Sequence, residues 1–354
     1  MFAQSTFELI FQGTGCSSGV PNITCLTSKP VTCETCGLAT QPSGWKNKRR
    51  NTGAIVRVRS VTGSERVIVI DVGKTFLAGA LDLFPRYNLR RIDAVLSTHG
   101  HADAINGLDD LRSWMLGDMR IQDHIDVYLS KETMNDVKRG FPYLVSKEFA
   151  TGSGHIPQFK WHLIESNKPL RLDAIDFDII PIEVHHGNLP LPVRPSPPDL
   201  NTIPTPEPYL CFGFIFGSIM IYISDVSNIP GQTWNMIEAA GGPGPHPYQI
   251  LAIDCLMLRR LVAHFGVKDA IDTAIRLNAS RTCLFGFGHE ISHEIWEIIA
   301  RNVGGLRHWA GTAVNPGGFK SRVGIGSATQ ARPKNRPGIR RGILQGDRWN
   351  FMRT

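Results

Sequence analysis

The constraint that most narrows the fold is the run AVLSTHGHADAINGLDDLR, residues 94–112. Four apolar or small residues, Ala94–Ser97, have the length and β-branched character of a buried strand, and a helical pattern begins at Leu108. Between them stand His99, His101 and Asp103. Two imidazoles two residues apart at a strand end can enter one cavity, and a carboxylate two residues on can reach the same space. Zn²⁺ takes this kind of nitrogen and oxygen donor set, and an open coordination position makes its water acidic near neutral pH. A chain with this run must place a strand, a metal loop and a helix in succession.

Further strand-like runs occur at Phe7–Phe11, Ala54–Val58, Val67–Asp71, Asp126–Leu129, Phe177–Val184, Phe212–Phe216, Met220–Ser224, Ile250–Asp254 and Thr282–Gly286. Helical patterns lie at Leu108–Leu116, Lys131–Arg139, Gln232–Ala240, Lys268–Leu277 and His293–Asn302. Strands come first as hairpin-like pairs and later alternate with helices. That order suits a four-layer αββα sandwich better than a doubly wound parallel sheet. Eight prolines from Pro190 to Pro208 mark a stiffened loop beside His186, expected to shape a pocket mouth.

Residues 1–305 read as one domain and 306–354 as a tail. The formal charge of +7 belongs to the tail, which has ten Lys or Arg and one acid, leaving 1–305 close to neutral. Its Gly, Pro and Arg content without apolar periodicity predicts disorder, and nucleic-acid binding through it has weak support. No run reaches the ~18 apolar residues of a membrane span. The expected location is the cytoplasm, with the nucleus as an alternative. A homodimer is one admissible assembly.

The 94–112 segment resembles the His-x-His-x-Asp-His signature of the metallo-β-lactamase superfamily, and the likeness runs from about Phe7 to Arg301. It implies an αββα fold and a metal-dependent hydrolase. Asp71, in Ile70-Asp71-Val72-Gly73, resembles the acceptor that orients the metal loop. His186, Asp225 and His289 match the later ligands, Asp225 being the carboxylate that bridges two ions. Where the signature ends in His, this chain has Ala104. The implied first site is therefore His99, His101, His186 and Asp225. A second retains Asp103, Asp225 and His289, an oxygen-rich set that favours Mn²⁺ or Mg²⁺, or no ion, over Zn²⁺.

Seven cysteines, four of them between Cys16 and Cys36, suggest metal binding more than a disulfide framework. Cys25, Cys33 and Cys36 have zinc-chelating spacing but need a fourth ligand. Within the superfamily the chain is most similar to cyclic-phosphate phosphodiesterases related to carbon–phosphorus lyase operons, with tRNA 3′-processing endonucleases nearby. That branch implies His293 as the fourth ligand of a structural Zn²⁺, with Cys16 as rival; three free thiols are the alternative. His264 stands before the helical pattern Lys268–Leu277, where helix N–H groups favour an anion. The branch implies that it contacts the scissile phosphate and assists the leaving group. The basic run Lys46–Thr52 is a further candidate for phosphate contact, with a solvated loop as the alternative.

The expected activity is hydrolysis of a small cyclic phosphate or nucleotide-like phosphodiester by metal-bound hydroxide, with Asp103 orienting or deprotonating the water. A thioester or amide hydrolase of the same fold, or a non-catalytic metal-binding protein, are the competing readings.

Overall fold

The structure, a computed structural model, describes residues 5–149, 158–190, 206–302 and 321–325. Twelve strands are described: β1 Ser5–Gly13, β2 Gly53–Arg59, β3 Glu65–Ile70, β4 Ala94–Leu96, β5 Ile125–Leu129, β6 Phe159–Leu163, β7 Ile179–Asn188, β8 Pro208–Phe216, β9 Met220–Ile223, β10 Ile250–Asp254, β11 Arg281–Phe285 and β12 Ser321–Ile325. The helices are α1 Ile23–Thr27, α2 Glu34–Ala39, α3 Phe76–Tyr87, α4 Ala102–Ile105, α5 Arg112–Met115, α6 Lys131–Gly140, α7 Pro142–Val145, α8 Gly231–Ala240, α9 Val267–Leu277 and α10 His293–Asn302.

Two sheets result, ordered β12-β1-β2-β3-β4-β5-β6 and β11-β10-β9-β8-β7. Their facing surfaces close on Phe7, Leu9, Val56, Ile68 and Leu96 from the first and Phe214, Phe216, Tyr222, Ala252 and Phe285 from the second. Alternate residues of the same strands point outward. Ile55, Val69, Val95 and Val127 pack beneath α3 and α6, whereas Ile221, Ile223, Leu251 and Ile253 pack beneath α8, α9 and α10. Strands buried on both faces must be apolar at nearly every position, as MIYI and ILAI are. The layering is αββα, as the element order implied.

Cross-strand partners Glu8 and Arg57 form a buried ion pair on the helix-covered side of the first sheet, where Arg57 also donates to the Tyr87 carbonyl at 2.8 Å. Pairing is antiparallel through β1, β2 and β3 but parallel through β3, β4, β5 and β6, and again through β9, β10 and β11. Parallel strands bring their C-terminal ends to one edge. The chain leaves β3 at Asp71, β4 at His99 and β9 at Asp225, so the topology gathers these side chains without regard to sequence distance.

Four features differ from the sequence reading. The helix α3 carries Phe76, Ala80, Leu83, Phe84 and Tyr87 on one face, a period that Gly79 and Pro85 obscure. The strand β6 was not anticipated. Residues 108–115 form a 3₁₀ turn followed by α5 rather than one helix. Within 306–354, expected to lack structure, β12 pairs antiparallel with β1. The central part of the proline-rich loop, 191–205, lies outside the described residues. No helix among the described residues is long and apolar enough to cross a membrane.

Candidate metal centre

His99, His101, His186 and Asp225 offer donor atoms that all lie within 4.8 Å of one another. Asp225 Oδ2 is 3.4 Å from His99 Nε2 and 3.5 Å from His186 Nε2, and His186 Nε2 is 3.3 Å from His101 Nδ1. A tetrahedral Zn²⁺ with bonds of about 2.0–2.1 Å would separate its donors by about 3.3–3.4 Å. The spacing fits one such ion.

The hydrogen bonds behind the cluster fix which nitrogens face inward. Asp71, held at φ 61° just past β3, accepts from the Thr98 N–H at 2.8 Å and from the Thr98 hydroxyl at 2.8 Å. With its proton committed to Asp71, Thr98 Oγ1 can only accept from His99 Nδ1, 2.8 Å away. His99 Nε2 is therefore a bare lone pair, buried without a hydrogen-bond partner. In the same way His186 Nδ1 donates to the Ala263 carbonyl at 2.8 Å, leaving Nε2 for the cluster. Burial drives the His99 pKa down to about 3 and lowers that of His101. Both are neutral, the form in which imidazole binds metal. Tyr209 lies flat on His101, ring centres 4.8 Å apart, and its Oη accepts the Gly100 N–H at 3.3 Å.

Asp103 sits in the first turn of α4 and is not drawn into this cluster, although its charge reaches His101 and His264. Ala104 is buried in the core beneath α3. His185 is not part of the cluster and joins Asn228 through its backbone and its ring Nδ1.

His264 and Asp254 stand beside Asp225, their donor atoms and its carboxylate again within 4.8 Å. Asp254, the last residue of β10, is fully buried and holds His264 Nδ1 at 2.9 Å. Burial alone pulls the His264 pKa down, but the charge and hydrogen bond of Asp254, with Asp225 and Asp103 behind, raise it to about 9. His264 packs edge-on against His186, centroids 4.8 Å apart. Asp254 was not singled out from the sequence. The signal was present: ILAID ends in an acid beside YISD, and the two strands run parallel.

Cys25, Cys33 and Cys36 do meet at one point, but their fourth neighbour is His289. Its Nδ1 is 3.4 Å from Cys25 Sγ and 3.5 Å from Cys33 Sγ, against about 3.6 Å for sulfur and nitrogen on one tetrahedral Zn²⁺. This corrects two expectations. His289 is turned to the cysteines and away from Asp225. His293 begins α10, where its Nε2 bonds Glu297 at 2.8 Å, one turn along, and its N–H bonds Asn47. Cys16, the rival ligand, contacts Ser18 instead.

The basic run is also structural. Buried Arg49 bonds the Gly288 and Ile291 carbonyls, fastening the loop that carries His289, while Arg50 pairs with Asp82 and Lys46 with Glu297. A cavity of about 690 Å³ borders the metal loop through Thr98 and Tyr209, with Lys138 and Arg139 on its wall. None of the cluster histidines lines it.

The family description "Beta-lactamase superfamily domain" matches residues 66–287. A crystal structure of a diphosphatase from the PhnP family superposes with a TM-score of 0.64 at 23% identity, covering 89% of this chain and 97% of that one. The metallo-beta-lactamase fold protein YhfI from Bacillus subtilis gives 0.56 at 14% identity, covering 90% and 100%. An octanoyltransferase of Porphyromonas gingivalis is 23% identical over 299 residues, 83% of this chain but 49% of that protein, so the chain spans about half the length of this relative. Fold, parallel strand ends, clustered ligands and family match agree: the chain belongs to the metallo-β-lactamase superfamily of metal-dependent hydrolases.

Proposed function

We propose that this chain hydrolyses small phosphodiesters at the cluster of His99, His101, His186 and Asp225, with His264 giving a proton to the leaving oxygen. The observation that carries the reading is the Asp254–His264 pair. Asp254 fixes Nδ1, which leaves Nε2 as the free nitrogen, and it keeps the ring protonated at neutral pH. When bound, a divalent ion at the cluster supplies Lewis acidity and lowers the pKa of water toward neutrality. The protein's own groups do the rest. Asp71 and Thr98 hold His99 in the ligating tautomer, Tyr209 braces His101, and Asp103, whose charge reaches His101 and His264, is the group assigned to orient the attacking water.

A buried imidazolium is most useful where the leaving group is a strong base. An alkoxide, its conjugate acid near the ~15.7 of water, needs a proton to depart, whereas a thiolate, at about 8.5, does not. His264 thus favours an oxygen ester over a thioester. The PhnP-family protein is named a diphosphatase, which supports phosphorus as the attacked atom. Zn²⁺ suits the three-nitrogen cluster, with Mn²⁺ the alternative; a structural Zn²⁺ on Cys25, Cys33, Cys36 and His289 would clamp the N-terminal loop to the 286–292 turn.

The test compares a phosphodiester with an alkoxide leaving group and one with a 4-nitrophenolate in wild type and His264→Ala. Loss of an acid catalyst costs roughly 10²–10⁴-fold on the first and far less on the second, which needs little protonation. Equal losses, or turnover of a thioester with none of either phosphodiester, would overturn the reading.

A further inference from the structure

We infer that the catalytic cluster holds one divalent ion, and that the Asp254–His264 pair stands against Asp225 where a second ion would otherwise be bound. The inference rests on the cluster being a metal centre, as proposed above, but not on the identity of the substrate.

Donor supply limits the site to one ion. His99, His101, His186 and Asp225 supply the donors of one ion. A neighbouring ion would share Asp225 and need further donors of its own, and four positions around it decline that role. Ala104 has no donor, and its methyl group is packed into the core under α3, with its backbone pinned by Val72 N–H to Ala104 O at 2.7 Å. Gly286 follows β11 at φ 83°, and a Cβ there would lie 2.3 Å from Asp254 Oδ1. No side chain can reach Asp225 from position 286 while Asp254 keeps its place. His289 is spent on the three cysteines. The Asp103 carboxylate joins neither donor group that contains Asp225.

What remains beside Asp225 is Asp254 and His264, and they bind each other. Their 2.9 Å contact is a hydrogen bond, with Asp254 Oδ2 also facing the Val226 N–H at 3.4 Å. Asp254 Oδ1 has no protein partner, so a hard ion is the competitor this arrangement must be tested against. With Asp254 Oδ2 and His264 Nδ1 engaged with each other, a second ion would have only the shared Asp225, Asp254 Oδ1 and His264 Nε2 left to it. The chain has instead put a hydrogen-bonded acid–base pair in that space.

The experiment is an ion count on the full chain, loaded with excess Zn²⁺ or Mn²⁺ and desalted. The expected content is two Zn²⁺ per chain, one on each cluster, falling to one in Cys33→Ser. With Zn²⁺ on the cysteines and Mn²⁺ on the histidines, electron paramagnetic resonance should show isolated Mn²⁺ at one per chain. A third ion that is lost in Asp103→Asn or Asp254→Asn, or an exchange-coupled Mn²⁺ pair, overturns the inference and leaves the proposed hydrolysis standing. A histidine cluster that stays empty while the cysteine site fills overturns the metal-centre reading itself.

Discussion

Replacing Asp254 by Asn keeps the shape of the His264 partner and removes its charge. The carboxylate opposes the effect of burial and holds His264 at about 9. Without it, burial draws the ring to or below its ordinary value near 6.5. If His264 acts as an acid, only the protonated fraction is active. At pH 8 that fraction falls from about nine-tenths to about three in a hundred, a loss on the order of 30-fold, while at pH 6 the two proteins differ by about twofold or less. The sign is that of a raised pKa: activity is present below it and disappears as pH rises through it. An ion on the neighbouring cluster lowers both limbs by its charge, so the separation between the two proteins is the readout. The assay is kcat/KM against pH on a phosphodiester with an alkoxide leaving group, at equal metal content. Superimposable alkaline limbs would refute the assignment of Asp254 and His264 as a proton-donating pair.

Other consequences can be checked separately. Cys33→Ser should cost one zinc and lower the thermal midpoint, since Cys36 and Cys33 tie α2 to a histidine more than 250 residues away; an unchanged midpoint with the zinc gone would show the clamp to be dispensable. Asp71→Ala removes both acceptors of Thr98 and should weaken metal binding by roughly 10–100-fold, read by competition with a chelating dye. Unaltered affinity would show that Thr98 alone sets the His99 tautomer. Glu8→Ala strands the buried Arg57 and should destabilise by about 3–5 kcal/mol in urea unfolding, whereas Glu65→Ala, at the exposed Arg59 pair, should cost about 1 kcal/mol or less. Similar losses at the two sites would mean that Arg57 finds other compensation.

The sequence displayed the sheets well because strands covered on both faces are apolar throughout, and the turns that follow them carry the polar residues. His99, His101, His186 and Asp225 were legible for the same reason: each terminates or closely follows such a run. The exchange of His289 and His293 was not. Both follow β11 and both could reach a metal by spacing alone; what separates them is that α10 starts at His293 and offers it Glu297 at i+4, leaving the preceding loop to swing His289 to the cysteines. Asp254 escaped because an acid closing an apolar strand is common, and its meaning depends on His264 folding back across ten residues. Arg49 looked like a solvated cation among others, yet its guanidinium is buried under Phe287 and the 288–291 carbonyls.

The central claim is metal-dependent phosphodiester hydrolysis at the histidine cluster, and the direct measurement is the initial rate on bis(4-nitrophenyl) phosphate. It should be taken before chelation, after chelation, and after reloading with Zn²⁺ or Mn²⁺, beside His186→Ala carrying a filled cysteine site. The account predicts turnover that vanishes on chelation, returns on reloading and is absent in the variant. No turnover at any loading, from protein whose histidine cluster demonstrably holds its ion, would contradict it.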